Sequence, residues 1–397
     1  MRHLKIRILS VIFLFGAFTS AFAQSVWTPR VSGTMAPLHS VTWTGSQLVV
    51  VGDSGTILTS PSGTTWTRRS FSNSPSSRVL YSVTWTGSKL VAVGDSGIVL
   101  TSQDGVAWTK MSSGSTRILL YITWTGTQFV VVGDLGIILT SPDGITWTTR
   151  TSGVVTTLHS VTWTGNQLVA VGSPSGGGYN ILTSPDGVTW TRHSVGLHEL
   201  HTITWTGSQL VTGGNIGDIL TSPDGVAWTV HGTGTSNFLA SIIWTGLQFI
   251  AVGNGTGLGV ILTSPDGIVW TKKTPGMINT LFSVIWTGNT LVTVGNGGTI
   301  LTSSQDPVFL ITSQHPQSTL SLRISKSLLS VRLPNFIFGQ NIQTTIRAID
   351  GRRLFEANVA QINHEIQVPI GFLPHGAYLL QVSGSNYTIE QRFNIMR

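Results

Sequence analysis

One tripeptide constrains this 397-residue chain more than any other feature. Trp-Thr-Gly recurs with its tryptophan at positions 43, 85, 124, 163, 205, 244 and 286, at intervals of 39 or 42 residues. A strand-like repeat near 40 residues points to the blades of a propeller, because each unit buries its apolar faces only against its neighbours. The first unit shows the pattern. Ser40–Trp43 reads as one strand, a Thr-Gly turn leads to Leu48–Gly52, a Gly-Asp-Ser-Gly turn to Thr56–Ser60, and a Pro-Ser-Gly turn to Thr65–Arg68. Each run is short, rich in β-branched residues and bounded by turn formers. None is long enough for a helix.

A second tryptophan series, at 66, 108, 147, 190, 228 and 270, falls on the fourth strand of six units. The seventh unit runs through Ile300-Leu301-Thr302-Ser303 and then leaves the repeat. The missing strand pattern stands at the other end, in Val26-Trp27-Thr28. Residues 25–30 are therefore expected to complete the seventh blade, which removes the open sheet edges that invite aggregation. An open solenoid would leave Val26-Trp27-Thr28 unexplained. The expected fold is all-β: a seven-bladed β-propeller closed by an N-terminal strand, plus a small C-terminal Ig-like β-sandwich.

Composition agrees and excludes several classes. Charged residues make up 9% of the chain, against about 25% in a typical soluble protein. The 40% hydrophobic content is enough for a real core, so this is not a charge-rich disordered chain. With no cysteine there is no disulfide, thiolate metal site or cysteine nucleophile. The net charge of +7 sits at the two ends: residues 24–306 hold 11 basic and 11 acidic side chains. A nucleic-acid partner, which would call for a basic patch on the large domain, is not expected.

Residues 1–23 read as an export signal: Arg2, Lys5 and Arg7, an apolar run over Leu9–Phe18, then Ala21-Phe22-Ala23 before Gln24. The alternative is a retained membrane anchor. No later segment reads as a transmembrane helix, so a secreted or surface-held protein is expected. The domains are then 1–23 signal peptide, 24–306 propeller, 307–315 linker and 316–397 C-terminal domain.

Two resemblances follow from motifs. Gly-Asp-x-Gly, an Ile-Leu-Thr-Ser strand, Asp-Gly and Trp, best seen in Val132–Trp147 and Val93–Trp108, resemble the Asp-box (BNR) propellers. Among these, the chain looks most like the photosystem II stability/assembly factor group. The turn is one residue shorter than the usual Asp-box, and the first unit has Ser62 in place of Asp. This resemblance implies a fold rather than a function, and no photosynthetic role follows. Residues 346–357 (IRAIDGRRLFEA) and 373–395 (LPHGAYLLQVSGSNYTIEQRFNI) resemble the type IX secretion C-terminal sorting domain. That implies passage by the type IX machinery to the outside or the outer-membrane surface of a Gram-negative bacterium. An ordinary Ig-like accessory domain is the alternative.

Candidate chemistry is sparse. Asp104, Asp143, Asp186, Asp224 and Asp266 recur in Asp-Gly turns, where an aspartate accepts from backbone N–H groups, and they read as structural. Asp53, Asp95 and Asp134 in the Gly-Asp-x-Gly turns read the same way. That leaves Asp218, Asp306 and Glu199 as acids for catalysis, whereas a glycosidase usually needs two carboxylates across the scissile bond. A sialidase-like site would add an arginine cluster, but most arginines follow fourth-strand tryptophans on the outside. No nucleophile elbow, His-Glu-x-x-His or phosphate loop occurs. No catalytic residue and no cofactor are therefore assigned.

Binding reads more readily. Loops that vary between repeats, at 70–78, 173–180 and 254–259, share one rim, where repeat folds place ligands. On that rim, four residues before each inner tryptophan, stand His39, Tyr81, Leu120, His159, His201, Ala240 and Phe282, with Tyr121 next door to Leu120. An even offset puts them on the tryptophan side of the sheet. They read either as caps of the inter-blade core, the weightier reading on sequence alone, or as a ring that stacks on sugars or holds a peptide. His193, His198, Glu199 and His201 offer metal-binding groups, but their spacing fits no ligand motif and no metal site is assigned. The expected function is a non-catalytic module binding an extracellular glycan or protein. The alternatives are a sialidase-like enzyme or a scaffold for assembling an envelope complex.

Overall fold

The computed structural model describes residues 27–303, apart from 71–77, 175–179, 195–198, 233–235, 247, 256 and 274–278, and, past Ser303, chiefly the strands between 310 and 395. The export signal, Val26, Asp306 and the linker at 307–315, save for Leu310 and Ile311, lie outside the described residues.

Seven four-stranded antiparallel sheets carry the repeat. In the first, Leu38–Trp43, Leu48–Gly52, Ile57–Ser60 and Thr67–Arg69 follow one another outward. In the last, the outer strand is Trp27–Arg30, antiparallel to Ile300–Ser303, with Trp27 opposite Ser303 and Arg30 opposite Ile300. The chain's start therefore seals its final blade. The innermost strands neighbour one another in cyclic order, the seventh beside the first. The fold is an all-β propeller.

The core lies between blades rather than within them. Val49, Val51 and Ile57 of the first blade pack with Leu80, Leu90, Leu100 and Trp108 of the second. Val292, Val294 and Ile300 of the seventh blade pack in the same way with Leu38, Val41 and Leu48 of the first. The second strand of each blade is chiefly apolar because both its faces meet such a core, with Thr212 and Thr293 as buried exceptions in the fifth and seventh blades, and Leu48–Gly52 is buried at every residue. Both tryptophan series border these clusters, as their repetition implies.

Hydroxyls link neighbouring blades around the channel. Ser40 Oγ accepts from Val83 N at 3.2 Å, Ser82 Oγ from Ile122 N at 3.3 Å, Thr202 Oγ1 from Ile242 N at 3.0 Å and Ser241 Oγ from Val284 N at 3.4 Å. Ser283 Oγ, accepting from Val41 N at 3.3 Å, joins the last blade to the first. In the third blade Tyr121 holds this serine's seat, and in the fourth the buried Ser160 Oγ has no hydrogen-bond partner.

The Asp-Gly turns are structural. Asp104 Oδ1 accepts from Val106 N at 2.8 Å and Ala107 N at 2.9 Å, and Asp143, Asp186, Asp224 and Asp266 repeat the arrangement. The indole N–H of each outer tryptophan that follows such a turn donates to the turn glycine, as in Trp108 to Gly105 O at 2.9 Å. Trp27 has no such turn described before it, and its buried indole nitrogen has no partner. The Gly-Asp-x-Gly turns need a left-handed residue after the acid. Ser54, Ser96 and Leu135 take it, and so does Ile216 after Asn215 in the fifth blade's Gly-Asn-Ile-Gly turn, with φ between 49 and 56°. The next glycine is fixed by close approach: a Cβ on Gly97 would stand 1.8 Å from Ser115 O.

Past the propeller, strands pair into a five-stranded and a three-stranded sheet. Ile342–Ala348 pairs with both Arg353–Val359 and Gly376–Gly384, and Gly376–Gly384 with Tyr387–Ile395. Ser321–Ser325, Leu328–Arg332 and Glu365–Pro369 form the smaller sheet.

Candidate functional site

The six aromatic and imidazole rim residues lie at the mouth of the central channel, where each innermost strand begins. Their orientation differs from that given by simple alternation. Each innermost strand carries a β-bulge: Leu38 pairs with Gly52 and Ser40 with the adjacent Val51, leaving His39 unpaired. The extra residue resets the side-chain period. Leu38, Val41 and Trp43 thus share the core side although their spacings mix odd and even. His39 is excluded from that side and meets the rings of neighbouring blades instead.

The ring divides into two arcs. His39 stands between Tyr81 and Phe282, 5.2 Å from each ring. Its Nε2 lies 2.6 Å from Asp53 Oδ1; a carboxylate only accepts, so this nitrogen carries the proton. Asp53 therefore serves the rim rather than its own turn. Asp134 keeps the expected structural role, accepting from Leu135 N and Thr157 Oγ1, both at 2.9 Å. Asp95 faces Arg78 Nη1 at 3.8 Å. Burial, with Asp95 and Asp53 nearby, pushes the Tyr81 hydroxyl above its usual range.

The second arc joins blades four and five. The His159 and His201 rings lie 4.3 Å apart, and Phe238 meets His201 edge-on at 4.7 Å. Glu199 lies between the two histidines. His159 Nε2 donates to its Oε1 at 2.8 Å, and His201 Nε2 is 3.7 Å from its Oε2. Ser173 Oγ donates to Oε1, and Asn215 Nδ2 to Oε2 at 3.1 Å. Burial works to raise the Glu199 carboxyl, but the Ser173 hydroxyl and the His159 ring outweigh it and hold it low. Burial, together with His159, pushes His201 down to about 4, so its imidazole is neutral at pH 7. The buried His201 Nε2 makes no hydrogen bond.

Tyr121 belongs to neither arc. It occupies the seat of the inter-blade serine and is 38% exposed.

The connector histidines also part company. His193 Nε2 bonds Thr183 Oγ1 at 2.9 Å on the outer strand. His231–Thr221, Arg69–Thr59 and Arg150–Thr140 do the same in other blades. His198 lies outside the described residues. The residue that completes the cluster, His159, comes from the preceding blade, 40 positions from Glu199. Repeat alignment alone foreshadows this: Glu199 stands where other blades have Pro37, Val79, Ile118, Thr157 and Thr280, each accepting at its carbonyl from the facing turn. Phe238, missed in the sequence, fills the same seat in blade six, where the strand starts one residue early.

No helix among the described residues is long and apolar enough to cross a membrane. The family described as DUF6242 beta propeller domain matches residues 24–158. No curated protein sequence matches the chain. Among solved structures, one titled "YCF48 bound to D1 peptide" is 20% identical, with a TM-score of 0.60 over 73% of this chain and 100% of that one. Another, the WD40 beta propeller domain of Doa1, is 12% identical, with a TM-score of 0.59 over 72% and 98%. Both are propellers, which bears out the fold read from the repeat.

Proposed function

We propose that this chain is an exported, non-catalytic propeller module that holds an extracellular protein segment or glycan at the channel mouth. The observation that carries this reading is the pair of aromatic–imidazole arcs, Phe282–His39–Tyr81 and His159–His201–Phe238. The β-bulges turn His39, Tyr81, His159, His201 and Phe282 out of the core. Flat rings flanked by carboxylates suit stacking on sugars or on extended peptide. A propeller of similar fold solved with a peptide supports the protein segment first. The acid census supports a binding role over hydrolysis: the Asp-Gly aspartates are engaged by their own turns, Asp53 by His39, and Glu199 by four neighbours. Export rests on residues 1–23 and on the likeness to type IX sorting domains.

The test is binding of the purified full-length chain to peptide and glycan arrays, repeated with His39→Ala/Tyr81→Ala. A loss of about tenfold or more is expected, in line with removal of stacking contacts. Unchanged binding by that variant overturns the site. Turnover of a fluorogenic sialoside above background overturns the non-catalytic reading.

A further inference from the structure

Among the described residues, one group of three side chains gathers metal-ligating atoms: His159, Glu199 and His201, all within 4.8 Å of one another. Two further observations point the same way. His201 Nε2 is buried without a hydrogen-bond partner, although its ring is held at 4.3 Å from His159 and 4.7 Å from Phe238. An unsatisfied buried nitrogen costs free energy unless something binds it. Glu199 is also held from behind: Ser173 Oγ bonds Oε1 and Asn215 Nδ2 bonds Oε2. Carboxylate ligands are commonly oriented by such outer partners.

We propose that His159 Nε2, His201 Nε2 and a Glu199 carboxylate oxygen form a site for one divalent transition metal of the zinc class, bridging blades four and five. Two imidazoles and a carboxylate suit zinc, copper or nickel, whereas calcium and magnesium call for oxygen ligands alone. The metal takes the place of the proton now between His159 Nε2 and Glu199 Oε1, with His159 in its other tautomer. Three protein ligands leave a fourth position of a tetrahedral zinc for water or an incoming donor. The site also joins two blades at a junction where Ser160 Oγ makes no hydrogen bond to the next blade. It stands independently of what the rim binds.

The experiment titrates the chelator-treated full-length chain with zinc chloride by calorimetry and with cobalt chloride by visible absorption. One equivalent of zinc should bind, and cobalt should give the intense d–d bands of a tetrahedral site. His159→Ala, His201→Ala and Glu199→Gln should each weaken zinc at least about 100-fold, the upper end of what losing an outer-shell partner costs. A His193→Ala variant, whose imidazole sits on Thr183 of the outer strand, should bind as the parent does. Magnesium should not compete. Circular dichroism and melting confirm that each variant is folded. If His201→Ala does not fold, the Glu199→Gln variant and the cobalt spectrum of the parent decide. No zinc binding by the parent, binding unaffected by these substitutions, or an octahedral cobalt spectrum overturns the proposal. None of these results touches the array experiment on Tyr81, which tests the rim separately.

Discussion

Replacing Asp104 tests how the blades are stapled. Its Oδ1 accepts from two backbone N–H groups, Val106 at 2.8 Å and Ala107 at 2.9 Å, and from Ser102 Oγ at 3.1 Å. The geometry is that of a helix N-cap, where removing the acceptor costs about 0.5–2 kcal/mol. The carboxylate is open to water, which screens it. Asp104→Ala should therefore cost about 0.5–1 kcal/mol at pH 7, in the lower half of that range. The same amide bonds hold the Asp104 carboxyl below its ordinary pKa. A depressed folded pKa gives stability that is complete above the unfolded value, near 3.9, and is lost as pH falls through the folded one. Urea unfolding of wild type and variant at pH 7 and pH 3 reads the difference in midpoint. The gap should narrow at pH 3. The reciprocal change, Ser62→Asp in the blade whose turn has Ser62 Oγ at 3.4 Å from Thr64 N and 2.6 Å from Thr64 Oγ1, should stabilise. A gap that is the same at both pH values, or one that widens in acid, would refute the reasoning.

Ile216 occupies a left-handed turn position at φ 55° and is half exposed, while Gly297 holds the corresponding seat in the last blade. Ile216→Gly should therefore raise stability by about 1 kcal/mol, since a branched residue there costs about 1–2 kcal/mol; a lower melting temperature would contradict it. Trp27 packs against the cluster that joins the sixth blade to the seventh. Trp27→Ala should cost at least about 2 kcal/mol, reduced from the 3–5 of a fully buried site, and should speed proteolysis near Ser303; unchanged cleavage would argue against sealing by the first strand.

The blades were legible because repetition supplies its own control. A pattern that recurs seven times separates structural residues from the others, and it correctly marked Asp104 and its counterparts as turn formers. The closing strand was legible for the same reason, as a lone fourth-strand tryptophan at the wrong end. The rim was half legible. Composition flagged His39, Tyr81, His159, His201 and Phe282, but strict alternation misassigned their side because a bulge leaves no residue-type signature in Leu-His-Ser-Val-Thr-Trp. The Glu199 cluster was legible only in fragments. Short-range spacing grouped Glu199 with His193, which faces Thr183 on the outer strand. Its true partner, His159, is brought close by stacking of blades, and no local pattern records that distance. Tyr121 misled by being aromatic: it is a replaced serine at an inter-blade link.

The third strand of every blade runs away from the histidine-bearing rim, and Ile300–Ser303 is no exception. Ser303 consequently lies at the far face of the disc, beside Trp27 at its outer wall. Everything that follows in the chain sets off from that back face. The rim that bears His39 and His159 therefore lies opposite the face where the last propeller strand ends.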